Sequence, residues 1–183
     1  YKDVLEAVGQ FVAEEVAPHT AELDREGLIF KDGEVSFPPH LKAIFEKIDE
    51  LGIYGLNVPR ELGGLNVPLL VQFIISELLA RGDVSVLTQY SFHGAISTAL
   101  LAYSMHEGST SFDRESFAID ECRFKDIIAE ITASKAWGCM DITEPDAGSD
   151  MAALRAVGEQ ASDGSWTVSG QKIFITSGHG KYH

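Results

Sequence analysis

Cysteine, basic residues and long uncharged apolar runs are all scarce in this 183-residue sequence. Two cysteines, Cys122 and Cys139, cannot build a disulfide framework and form no CxxC pair, which points to a reducing compartment. They read as buried structural thiols rather than nucleophiles. Only 14 Lys and Arg stand against 28 Asp and Glu, a formal charge of −14. That excess argues against a nucleic-acid partner, because phosphate binding needs clustered cations, and against an anionic membrane surface. Leu69 to Ala80 is too short to span a bilayer and carries Glu77, and Val84 to Met105 is crowded with Ser, Thr, Gln and His. Both read as buried helices, so no membrane association is expected. The N-terminus, Tyr1-Lys2-Asp3-Val4, has the character of neither a signal nor a transit peptide. GxGxxG, P-loop, HExxH and GxSxG patterns are missing. His179 and His183 have H-x3-H spacing, but no Cys or carboxylate set stands near them in sequence, and no metal site is expected.

What is present changes character near Trp137. Val4, Val8, Phe11, Val12 and Val16 share one helical face, and Pro18 and then Gly27 weaken and end that helix. Leu41, Ile44, Phe45, Ile48 and Leu51 form a second stripe, with Gly52 as its C-cap. A breaker-rich loop, Asn57 to Gly64, leads to a third, nearly all-apolar helix with Pro68 in its first turn. Asp83 is the N-cap of a fourth. Asp113 to Lys135 reads as a charged, exposed helical segment, broken near Cys122. Beyond Trp137 the period shortens. Cys139 to Thr143, Trp166 to Ser169 and Ile173 to Thr176 read as strands, with Asp163-Gly164 as a turn. So few strands make no independent sheet. The expected organisation is a helical domain over 1–137 and the beginning of a β domain over 138–183, interrupted there.

The most informative stretch is Met140-Asp141-Ile142-Thr143-Glu144-Pro145-Asp146-Ala147-Gly148-Ser149-Asp150. Small residues and backbone N–H groups at a strand end can cradle a phosphate or a polar ring edge, although on spacing alone a plain Asx/Pro turn is the default reading. His93, within the uncharged fourth helix, reads as a hydrogen-bonded interior imidazole, with a pocket-lining role as the alternative. Phe174, between Ile173 and Ile175, can be barrel core.

Thr143-Glu144-Pro145-x-Ala147-Gly148-Ser149-Asp150, followed about twenty residues later by Gly170-Gln171-Lys172-Ile173-Phe174-Ile175-Thr176, resembles the paired signature of the acyl-CoA dehydrogenase family. Leu51 to Pro59 with Gly63-Gly64 is similar to that family's first-domain loop. The resemblance implies an α+β multidomain protein. It would have an all-α N-terminal helical bundle, then the first strands of a β-barrel domain, with the C-terminal helical domain absent from this chain. It implies FAD as cofactor, with Met140, Ile142, Thr143, Gly148, Ser149, Phe174 and Thr176 against it. Of these, Thr143 would meet the pyrimidine edge, Phe174 the ring face, and Thr176 the N5 region. Ser149 would also approach the CoA moiety, and Gln89, Tyr90 and His93 are candidates for the acyl pocket.

The implied reaction is α,β-dehydrogenation of an acyl-CoA to a trans-2-enoyl-CoA. The catalytic base would be a Glu of the C-terminal domain, so no residue here is assigned as catalytic, and Glu144 is given a structural role. These residues alone are expected to be inactive and to hold FAD poorly. An electron-transfer flavoprotein as acceptor, a homo-dimer or tetramer, and a cytoplasmic or mitochondrial-matrix location are further implications. Glu107 to Lys135 departs from the family pattern. Two other readings stay open: a same-fold flavoprotein doing monooxygenation, nitroalkane oxidation or damage response, and a non-enzymatic helical interaction module.

Overall fold

A computed structural model describes all residues, 1–183. Six α-helices occur: α1 (Lys2–Phe11), α2 (Thr20–Glu26), α3 (Pro39–Glu50), α4 (Leu69–Gly82), α5 (Val84–His106) and α6 (Lys125–Thr132). Three antiparallel hairpins accompany them: β1 (Ile29–Lys31) with β2 (Glu34–Ser36), β3 (Thr110–Phe112) with β4 (Ile119–Cys122), and β5 (Val157–Gln160) with β6 (Trp166–Ser169). No helix is long and apolar enough to cross a membrane.

The first stripe behaves as its period dictates. Val8, Phe11, Val12 and Val16 are buried, although the chain loosens into a π-helical stretch at Val12–Val16 and a 3₁₀ turn around Pro18 before α2. Gly27 stops α2 at a φ of 61°. In α3, Ile44, Phe45 and Ile48 enter the same core, and Gly52 follows at a φ of 64°. Pro68 caps α4 rather than occupying its first turn, and its carbonyl accepts from Val71 N–H at 2.9 Å. Asp83 caps α5, its carboxylate accepting from the backbone N–H groups of Ser85 and Val86.

The loop between α3 and α4 folds back on itself. Asn66 N–H donates to the Val58 carbonyl and Val67 N–H to the Leu56 carbonyl, at 2.9 and 2.7 Å. Its side chains Ile53, Tyr54, Leu56 and Val58 enter the cores, Val58 joining a smaller cluster with Leu62, Cys122 and Ile128. Thr132 of α6 packs on Gly55 and Gly63 of the same loop, which fixes α6 against it.

Three expectations fail. The segment from Asp113 is not helical until Lys125. Residues 110–122 form the β3–β4 hairpin, whose exposed residues are mostly charged but include Phe112 and Phe117, and whose Cys122 turns inward. Cys139–Thr143 and Ile173–Thr176 are not ladder strands. Their only mutual backbone bond is Ile173 N–H to the Thr143 carbonyl, 2.9 Å, and Phe174 sits at a φ of 56°, which breaks extension. The β5–β6 hairpin around Asp163-Gly164 does form. Helices α4 and α5 are buried on one face only. Val71, Ile75 and Leu79 point inward, while Leu69, Leu70 and Phe73 lie exposed because no element among these residues covers them.

Candidate cofactor site

Residues 139–149 and 171–177 are brought together by one carboxylate. Glu144 is buried and accepts from Arg155 N–H (2.8 Å), Ala156 N–H (2.9 Å) and the Lys172 ammonium (2.9 Å). Lys172 also donates to the Ile142 carbonyl at 3.0 Å. Beside this clamp, reciprocal bonds between Glu144 and Ala147 close a tight turn around Pro145 and Asp146. The Lys172 ammonium first, and then the two backbone donors, hold the Glu144 carboxyl at a pKa of about 2. A carboxylate so committed is a poor proton acceptor, in keeping with its assigned structural role. Lys172, by contrast, had no role in the sequence reading. Its signal was a lysine in the second motif facing a glutamate in the first.

The chain flanking this clamp, termed the ledge, exposes Met140 and leaves Ile142 and Thr143 half-buried. Phe174 is 89% exposed, so nothing among these residues packs it as core. Thr176 is half-buried, and next to it the Ser177 hydroxyl is buried with no hydrogen-bond partner, a residue sequence reasoning missed. Gly148 and Ser149 follow the turn in the open, and a Cβ on Gly148 would meet nothing within 4 Å.

The acyl-pocket candidates separate. Tyr90 is buried and donates its hydroxyl to the Ile53 carbonyl at 2.9 Å. His93 is 1% exposed, lying between Trp137 and Tyr54 with ring centroids 3.7 and 4.3 Å away. Neither of its nitrogens makes a well-formed hydrogen bond, contrary to the expected satisfied imidazole, and burial, only partly offset by the Ile131 backbone, lowers its pKa to about 4. Gln89 instead lines a cavity of about 930 Å³ with Phe37, Leu41 and the start of α5, its amide nitrogen unpartnered.

His179 and His183 do not form a pair. His179 lies edge-on to Phe37 and tilted against Trp137, whereas His183 meets Asp141 at 3.2 Å and the Cys139 sulfur at 3.1 Å, ligand types its sequence neighbourhood lacked. Burial, and then Asp141, push the Cys139 thiol up to about 11, away from thiolate chemistry.

Residues 1–109 match the family model for the acyl-CoA dehydrogenase N-terminal domain. The chain belongs to the acyl-CoA dehydrogenase family. It is 30% identical over 175 residues to 3-methylmercaptopropionyl-CoA dehydrogenase of Ruegeria pomeroyi, covering 95% of this chain and 27% of that protein. It is 33% identical over 174 residues to the mitochondrial long-chain specific acyl-CoA dehydrogenase of Sus scrofa, covering 94% and 34%. The fold is similar to butyryl-CoA dehydrogenase from Megasphaera elsdenii, with a TM-score of 0.70 at 23% identity over 99% of this chain and 42% of that one. The chain thus spans about a quarter to a third of the length of the curated relatives it matches. Acyl-CoA dehydrogenase membership accounts for the helical bundle that leads into β structure.

Proposed function

We propose that the chain is the N-terminal portion of an FAD-dependent acyl-CoA dehydrogenase that oxidises acyl-CoA thioesters to trans-2-enoyl-CoA. The observation that carries this reading is the Glu144–Lys172 clamp, which joins the two family motifs, in and beside which Phe174 and Met140 face solvent. An exposed Phe174 and Met140, with the unpartnered Ser177 hydroxyl three residues on from Phe174, fit a flat ring that has a polar edge. FAD, when bound, supplies the acceptor for a hydride. Phe174 would cover a ring face and exclude water, Met140 and Ile142 would pack against it, and Thr143 and Thr176 would offer hydroxyls to its polar edges. Gly148 and Ser149 would stand by the phosphates and the CoA moiety.

The α-proton must go to a carboxylate, and Glu144 is unsuited because three donors already hold it ionised. The base is assigned to a residue outside 1–183. We place the boundary between the helical and β domains at Trp137, whose ring packs on Phe45 while the next residue, Gly138, bridges Tyr182. Gln89 is the best placed of the acyl-pocket candidates, since Tyr90 and His93 are turned into the helical core. An electron-transfer flavoprotein as acceptor, a homo-oligomer and a cytoplasmic or mitochondrial-matrix location belong to the same reading.

The test is product analysis with the full-length protein, a panel of saturated acyl-CoAs and an artificial electron acceptor. An enoyl-CoA product, lighter than the substrate by two hydrogens, is expected for one class of acyl chain. Flavin-loaded protein that yields no enoyl-CoA, or that incorporates oxygen instead, overturns the reading.

A further inference from the structure

Away from the ledge, two helices meet through histidines. His19 ends the 3₁₀ turn, Glu22 and Glu26 lie on α2, and His40 is the second residue of α3. The imidazoles stack with centroids 4.8 Å apart, yet neither turns away from the acids. His19 Nδ1 lies 2.9 Å and His40 Nε2 3.5 Å from the same Glu22 oxygen, and the three ligand atoms all fall within 4.8 Å of one another. A tetrahedral shell with bonds near 2.0–2.1 Å has edges of roughly 3.3 Å, so little movement would close these atoms on an ion.

The opposite side of the His40 ring is provided for as well. Its Nδ1 lies 3.2 Å from a Glu26 oxygen. With Nε2 on a metal, Nδ1 must carry the proton, and Glu26 is in place to accept it, the arrangement that orients and strengthens a histidine ligand. The two histidines, though not Glu22, line a cavity of about 270 Å³ that Glu15 and Lys47 also border, which leaves room for a water as fourth ligand. Lys47 is engaged by Glu50 at 2.8 Å, which draws its charge away.

We propose that His19, Glu22 and His40 form a binding site for a zinc-class divalent ion that ties α2 to α3, with Glu26 as a positioning residue. Two imidazoles and one carboxylate suit zinc and its neighbours, whereas calcium and magnesium take oxygen shells. The residues are partly exposed, so substitution leaves the core intact.

The experiment is calorimetric titration of chelator-treated full-length protein with zinc chloride, repeated with His19→Gln/His40→Gln, with Glu26→Gln, and with Cys139→Ser. The expected result is one saturable site in the parent and in Cys139→Ser, lost in the double histidine variant. Affinity in Glu26→Gln should fall ~10-fold, as removal of an outer-shell partner does. Zinc should raise the melting temperature of the parent but not of the double variant. Cobalt should give a tetrahedral visible spectrum without thiolate charge transfer. Absence of binding, equal binding by the double histidine variant, or a thiolate band lost in Cys139→Ser overturns the proposal, the last by moving the ion to Cys139, Asp141 and His183.

Discussion

At the scale of single residues, Glu144 and His93 make opposite use of burial. Three donors surround Glu144 and keep it charged, whereas His93 lies among rings with no hydrogen-bond partner and stays neutral. Their effects on stability point the same way in acid. The Glu144 pKa falls from 4.5 to about 2 on folding, so its contribution is complete above 4.5 and is lost as pH drops through about 2. His93 falls from 6.5 to about 4, so the unfolded chain takes up its proton first and stability declines from 6.5 towards 4. Chemical unfolding followed across pH should show both slopes, with His93→Leu flattening the upper window and Glu144→Gln the lower. A variant pair with unchanged pH profiles would contradict both assignments. The structural role of Glu144 was legible because a glutamate before proline in a turn is badly placed to act as a base. The orphaned state of His93 was not, since it depends on Trp137 arriving from 44 positions away in the chain.

Elements follow local rules where the period is long and fail them where pairing decides. The stripes of α1 and α3 were legible because each repeats over several turns, as was the Asp83 cap before α5. Replacing Asp83 by Ala leaves the Ser85 and Val86 N–H groups without their acceptor and should cost about 1 kcal/mol in urea unfolding. Strands of three or four residues carry a signal only where a turn marks them, as Asp163-Gly164 does before Trp166–Ser169, and the β3–β4 hairpin was hidden in a charged, exposed segment. Cys139–Thr143 and Ile173–Thr176 have strand composition, but a strand exists only through its ladder, and one shared hydrogen bond is too little.

Two glycines make a sharper test at this scale. A Cβ on Gly64 would collide with the Val58 carbonyl, so Gly64→Ala should destabilise by about 3 kcal/mol, the upper part of the range for overpacking. Gly9, inside α1 with open space around it, should gain up to about 1 kcal/mol on the same change. Equal unfolding midpoints for the two variants would refute the close approach in the 55–66 loop.

At the scale of the molecule, the helical domain and the ledge are coupled through Trp137. Its ring packs on Phe45 and His93, and two residues later the Cys139 N–H donates to the Tyr182 carbonyl. Family membership was legible through the resemblance of whole motifs, Thr143 to Asp150 with Gly170 to Thr176 and the loop from Leu51 to Gly64, since spacing alone fits a plain turn. The partly uncovered faces of α4 and α5 were not legible. A helix apolar all round reads as buried, and only packing shows that Leu69, Leu70 and Phe73 find no neighbour among these residues.

In the proposed function, the two motifs clamped by Glu144 and Lys172 serve a flavin that oxidises acyl-CoA. The most direct test of that function is anaerobic titration of the flavin-loaded, full-length protein with saturated acyl-CoAs of graded chain length, read as visible flavin absorbance. One class of acyl chain should bleach the flavin as the ratio of substrate to protein rises, and Lys172→Met should impair flavin retention. A protein that keeps its flavin, remains unbleached by every saturated acyl-CoA and tolerates Lys172→Met without flavin loss would rule that function out.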